Sequence, residues 1–279
     1  MKKGSLAVFL ALCCLMGCVG GRSSGGSPSV DGGDTLTTDT ANVDASDPLA
    51  EEQSMPEAAD ELFDDFFFNF AANKRLQKER ISFPLLVSSE DRQEHISARK
   101  WQMDRFFMDQ DYYTLIFDSP QQMEDVKDTT VDEAVVEKIF LDDEMVQQYF
   151  FNRKSGRWML CEIRRQALQR NTNAPFLVFY RHFVSDSVFQ HESLAAQMQF
   201  SGPDPDDDFR QLEGVITPDF WEAFAPELPS KMLYNIVYGH RHDAAQQKIL
   251  VLRGIANGLE VEITFQLKHG RWKLTKLIT

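Results

Sequence analysis

The chain has 279 residues, 43% of them apolar, which is enough to fill two ordinary hydrophobic cores. Its formal charge of −14 is concentrated near the start, where residues 19–61 carry ten acidic side chains against Arg22. Neither that stretch nor the remainder offers the basic surface that a phosphate backbone requires, which excludes nucleic acid as a partner.

At the amino terminus, Lys2 and Lys3 precede an apolar run from Leu6 to Met16 that is too short to span a bilayer as an ordinary helix. Leu15-Met16-Gly17-Cys18 then resembles the bacterial lipoprotein signal box, in which a peptidase cleaves before a cysteine. That cysteine is afterwards acylated, with palmitate-type chains, on its sulfur and its new amino group. The box selects Cys18, because Cys14 follows Cys13 and Cys13 follows Leu12, both poor at the cleavage position. The resemblance implies a signal peptide at 1–17, lipidation of Cys18 and a membrane contact through the lipid anchor. Val19, where the inner-membrane sorting signal has Asp, implies an outer-membrane address facing the periplasm or the cell surface. From 18 to 53 the composition is Gly, Ser, Thr, Asp and Ala, which predicts a disordered acidic tether.

Ser54-Met55-Pro56-Glu57 fits a capping box, and Leu62, Phe63, Phe66, Phe67 and Phe70 then recur at helical spacing. Arg80 to Leu85 breaks that period around Pro84, and residues 90–108 show a second helical pattern at Ile96, Trp101 and Phe106. Tyr112 to Phe117, Val131 to Leu141, Met145 to Asn152 and Arg157 to Arg164 read as four strands. Ser155-Gly156 supplies a two-residue hairpin turn with glycine at the second central position. Cys161 is the one thiol beyond the signal region, and alternation with Met159 and Ile163 predicts a buried, inert cysteine without a disulfide.

The order then recurs. Asn171-Thr172-Asn173 caps a helix bearing Phe176, Leu177, Tyr180, Phe183 and Val184, and the chain closes on a second hairpin through His269-Gly270. A shift of 113 places Phe66 on Phe179, Phe70 on Phe183 and Gln77 on Gln190. Shifts of 120 and 121 place Trp101 on Trp221 and Tyr113 on Tyr234, and the hairpins match at 114. A drifting offset with conserved element order predicts a duplicated domain, with copies at 54–170 and 171–279. Each copy is an α+β unit: a long helix packed on a curved antiparallel sheet. This order, with its repeated Gly-Arg-Trp hairpin, resembles the nuclear transport factor 2-like (cystatin-like cone) fold. Over residues 58–279 the chain is similar to an uncharacterised family of Bacteroides-type lipoproteins built from two such halves.

If both hairpins keep a regular ladder, Trp158 and Tyr149 share the concave face with Glu162, and Trp272 shares it with Lys276. Glu162 and Lys276 then sit one step beyond the core, at the cone mouth, where the fold resemblance implies ligands or catalytic carboxylates. Tyr149, Trp158, Trp272, Glu162 and Lys276 are therefore the candidate ligand-binding residues. The opposite face of the first hairpin, with Phe150, Met159, Cys161 and Ile163, reads as an apolar patch that the other half or a partner covers. His240-Arg241-His242-Asp243 lacks a third ligand, Pro203 to Asp208 lacks the alternation of a calcium loop, and no catalytic, metal or cofactor motif is present. The reading that follows is a non-enzymatic envelope lipoprotein that binds a small apolar or sugar-like ligand or an envelope protein. Its rivals are an isomerase or hydrolase using a cone-mouth acid or base, and a structural spacer.

Overall fold

The computed structural model describes residues 57–204, 207–239 and 246–279. A 3-10 turn at Glu57–Asp60 leads into α1 (Phe63–Ala72), α2 (Lys74–Glu79), β1 (Ile81–Ser88) and β2 (Gln93–Ile96). β3 (Tyr112–Phe117), β4 (Glu133–Phe140), β5 (Met145–Lys154) and β6 (Arg157–Ala167) follow. The second run has α3 (Ala174–Ser185), α4 (Ser187–Glu192), β7 (Leu194–Asp204), β8 (Asp207–Ile216) and the short α5 (Trp221–Phe224). It ends with β9 (Met232–Tyr238), β10 (Gln247–Gly254), β11 (Glu260–Lys268) and β12 (Arg271–Ile278). The capping box at Ser54, the lipobox and tether, the His240–Asp243 stretch and the centre of the Pro203–Asp208 stretch lie outside the described residues.

Each long helical pattern is broken by a cap. The Asn73 side chain accepts from the N–H groups of Arg75 and Leu76, at 2.9 and 3.0 Å, and so starts α2 on a new axis. Asp186 does the same for Val188 and Phe189, at 2.9 and 3.0 Å. One face of α1 buries Phe63, Phe66, Phe67 and Phe70, and one face of α3 buries Phe176, Phe179, Tyr180 and Phe183. Phe63 meets Trp158 edge-on at 4.9 Å and Phe176 meets Trp272 at 5.5 Å, contacts that add roughly 0.5–1.5 kcal/mol beyond area burial. Gln77 accepts from Trp101 Nε1 at 3.1 Å, and Gln190 accepts from Trp221 Nε1 at 3.1 Å.

The strands form two six-stranded mixed sheets with the same internal order, β2-β1-β6-β5-β4-β9 and β3-β10-β11-β12-β7-β8. In each, one pairing is parallel, β1 with β6 and β7 with β12, and the rest are antiparallel. The third strand of each run lies in the sheet formed by the other run. β9 pairs with β4, Val136 opposite Ile236, while β3 pairs with β10, Leu115 opposite Val251. Where the exchanged strands meet, Thr114 Oγ1 donates to the Tyr234 carbonyl at 2.7 Å and accepts from its N–H at 2.8 Å. The boundary expected at 170/171 is thus crossed by a strand in each direction, and the described residues belong to one compact unit.

Two expected elements differ. Residues 90–108 hold the strand β2 at 93–96 followed by turns and not a helix, and 81–88 form a strand through Pro84. Proline cannot donate to a ladder, and Pro84 falls where the β1–β6 register shifts, between Ile81 and Leu86. Both hairpin turns match expectation: φ is +50° and +78° at Ser155 and Gly156, and +51° and +75° at His269 and Gly270.

Candidate functional site

Both hairpins carry a β-bulge, and it relocates two of the proposed site residues. Leu160 faces Phe151, but the next pair is Glu162 with Phe150, so Cys161 is the extra residue. Leu274 faces Phe265, the next pair is Lys276 with Thr264, and Thr275 is extra. A bulge reverses the in–out alternation beyond it. Glu162 and Lys276 therefore lie on the outer faces, and Ile163 and Leu277 turn inward in their place. This corrects the cone-mouth placement of both charges. Glu162 accepts from Ser88 Oγ at 2.9 Å and pairs with Arg164 at 3.1 Å. Lys276 lines a polar hollow of about 570 Å³ with Gln199, Glu262, Thr264 and Gln266. The apolar outer patch is smaller than expected for the same reason. Ile163 leaves it, Phe150 lies under the Arg164 guanidinium at 4.6 Å, and half-buried Cys161 meets Ser82 Oγ at 3.8 Å.

Tyr149 and Trp158 do face inward, among side chains that fill the space. Tyr149 Oη donates to Asp104 at 2.5 Å, and burial together with that carboxylate pushes its pKa far up. Lys138 Nζ sits 2.6 and 2.8 Å from the Asp104 oxygens, over the rings of Phe106, Tyr149 and Tyr234. Asp104 Oδ1 also accepts from the Phe106 N–H at 2.8 Å, supporting the positive φ of that residue. A carboxylate, an ammonium and a phenol thus meet beside the first core, each already engaged by another.

The two mouths differ sharply. Above Trp158, Arg80 and Asp60 form a buried bidentate pair with both bonds at 2.7 Å. Asp60 also accepts from the Trp158 N–H at 3.1 Å, and Arg80 donates to the Trp158 carbonyl at 3.3 Å. Trp158 is fully buried. The corresponding positions of the second run are Asn173 and Ser193. Leu274 N–H donates to the Ser193 carbonyl at 2.9 Å just as Leu160 N–H donates to that of Arg80 at 2.8 Å, so Ser193 stands where the arginine stood. With neither charge present, a groove of about 950 Å³ opens above Trp272. Its walls are Phe176, Val178, Phe179, Phe189 and Leu267, with Val178 38% exposed.

At the inner end of this groove lies Lys248, whose ammonium is held by Asn173 Oδ1 at 2.5 Å and by the Asp118 carboxylate. Lys248 and Asn173 also border a second cavity of about 420 Å³ in the seam between the sheets. The seam is crossed at Asn235, whose Oδ1 accepts from the Ile116 N–H at 2.9 Å and whose amide donates at 3.0 Å to Glu137, a carboxylate that also accepts from Asn171 at 2.7 Å and Gln148 at 2.8 Å. Trp272 lines the groove, and sequence reading did not single out Lys248, Asn173, Asp60 or Arg80 as site residues. The Asp60–Asn173 and Arg80–Ser193 differences were visible at the same shift of 113 that aligned the helices. Among the described residues no cluster of His, Cys, Asp and Glu suits a metal ion.

Two mixed sheets with helices packed on their inner faces define an α+β protein of the nuclear transport factor 2-like class. The chain is similar to a crystal structure of a nuclear transport factor 2-like protein from Bacteroides fragilis, at 42% identity and a TM-score of 0.72, over 79% of this chain and 96% of that one. Residues 42–279 match a domain of unknown function, DUF4348, and the chain belongs to that family. No curated protein matches it.

Proposed function

We propose that the protein is a lipid-anchored envelope module, internally duplicated, that binds a ligand without catalysis in the groove above Trp272. The observation that carries this reading is the contrast between the mouths. A buried Asp60–Arg80 pair seals the first, and its replacement by Asn173 and Ser193 leaves an aromatic-floored groove within the roughly 300–1,000 Å³ range of ligand pockets. Cys18 in its signal box supports the anchor. Duplication is supported by the equal strand orders, the paired Gln–Trp hydrogen bonds and a bulge at the same ladder step of each hairpin. The saturated contacts around Asp104, Lys138 and Tyr149 favour a structural role for that cluster over acid–base chemistry.

The test is binding of the neutral dye Nile red to the full chain. One site per molecule is expected, and Val178→Glu, which brings a charge into the exposed groove wall, should weaken it about tenfold. Undiminished binding by that variant would remove the groove from consideration.

A further inference from the structure

The groove has an aromatic floor, the polar side chains of Thr172, His182 and Gln246 in its lining, and a cation at Lys248. Lys248 projects from β10 opposite Phe265, at the ladder position where β4 places Ala134 opposite Phe151. The first sheet thus fills that inward position with a methyl group and the second with a lysine only 6% exposed. Taking a charge out of water is unfavourable unless a partner offsets it, so a lysine here serves something that alanine does not. Its present counter-charge, Asp118, lies at the end of the exchanged strand β3, with its side chain 18% exposed. The rim repeats the sign: Arg271 and Lys273 flank the opening against Glu192, and Arg271 has no ion-pair partner among the described residues.

We propose that the groove binds a single-chain anionic amphiphile. The tail lies on Phe176, Phe179, Phe189 and Trp272, and the head group takes the Lys248 ammonium from Asp118, which turns to solvent. Asn173 stays bonded to the ammonium throughout, and Arg271 supplies the second positive charge near the entrance. The specificity comes from Lys248 and the affinity from the rings, because an apolar floor alone does not distinguish head groups. This inference rests on the groove being a binding site.

Displacement of Nile red from the full chain by dodecanoate and by dodecanol separates the two ideas. Dodecanoate should displace the dye at a concentration about tenfold lower, a preference of about 1.4 kcal/mol. The paired substitution Lys248→Met with Asp118→Asn removes cation and counter-ion together, leaving no unpaired buried charge. It should bring the two ligands to within about twofold while retaining displacement by dodecanol. Equal displacement by both ligands in the unmodified chain overturns the head-group assignment and leaves the groove intact. A dodecanoate preference that survives the paired substitution also overturns it. Displacement by neither ligand overturns the groove reading and this inference with it.

Discussion

Asp60→Ala strips the carboxylate from a pair in which Arg80 is 6% and Asp60 8% exposed at the side chain. The guanidinium loses two bonds of 2.7 Å and stays buried against Trp158, while the Trp158 N–H loses its acceptor. Removing one partner of a buried ion pair costs about 3–5 kcal/mol, most of it the stranded charge. The paired substitution Asp60→Asn with Arg80→Ser reproduces the residues at 173 and 193 and leaves no charge behind. Asparagine retains an oxygen for the Trp158 N–H, so the loss should be only about 1–2 kcal/mol. Urea denaturation measures both, a lower midpoint at unchanged slope reporting the loss. The same paired variant should open the first mouth and raise Nile red binding from one site to two. A single variant within about 1 kcal/mol of the parent, or a paired variant less stable than the single one, would refute the argument.

Four further substitutions have expected outcomes. Asp64 has its pKa pushed up to about 6, chiefly by burial and in small part by the like charge of Asp65, against the Tyr238 hydroxyl at 2.6 Å and nearby Arg253. Folding therefore favours its protonated form, and this contribution is present below about pH 4 and lost as pH rises through about 6. Asp64→Asn should consequently stabilise the protein increasingly between pH 4 and pH 7, as read from melts of variant and parent across that range; an advantage constant with pH would contradict this. Trp158→Ala, by emptying a fully buried site, should cost about 3–5 kcal/mol. Glu162→Gln, at an outer-face pair with Arg164, should cost less than about 1 kcal/mol, and equal melts for the two variants would show Glu162 to be structural. Cys18→Ala should move the protein from the membrane to the soluble fraction, since each buried acyl CH₂ contributes about 0.8 kcal/mol to anchoring; retention in the membrane would disprove the anchor.

The sequence by itself determined the elements whose cause is local. The Phe63–Phe70 and Phe176–Phe183 faces follow from helical spacing, the two hairpins from a glycine where φ is positive, and the recurrence from element order kept under a drifting offset. The Gln77–Trp101 and Gln190–Trp221 correspondences were legible for the same reason, though not the hydrogen bonds they make. What tertiary structure decided is where strands find partners and which way side chains face. Nothing local distinguishes pairing of β4 with β3 from pairing with β9, because Tyr113 and Tyr234 present similar edges; the choice falls to packing between the sheets. The bulges that send Glu162 and Lys276 outward are likewise unwritten in periodicity, since one extra residue in one strand reverses every side chain beyond it. The groove itself depends on residues 20 apart in sequence meeting over a tryptophan. Asp60 and Arg80 close one mouth because their charges are buried together, and Asn173 and Ser193 leave the other open because neither carries a charge to bury.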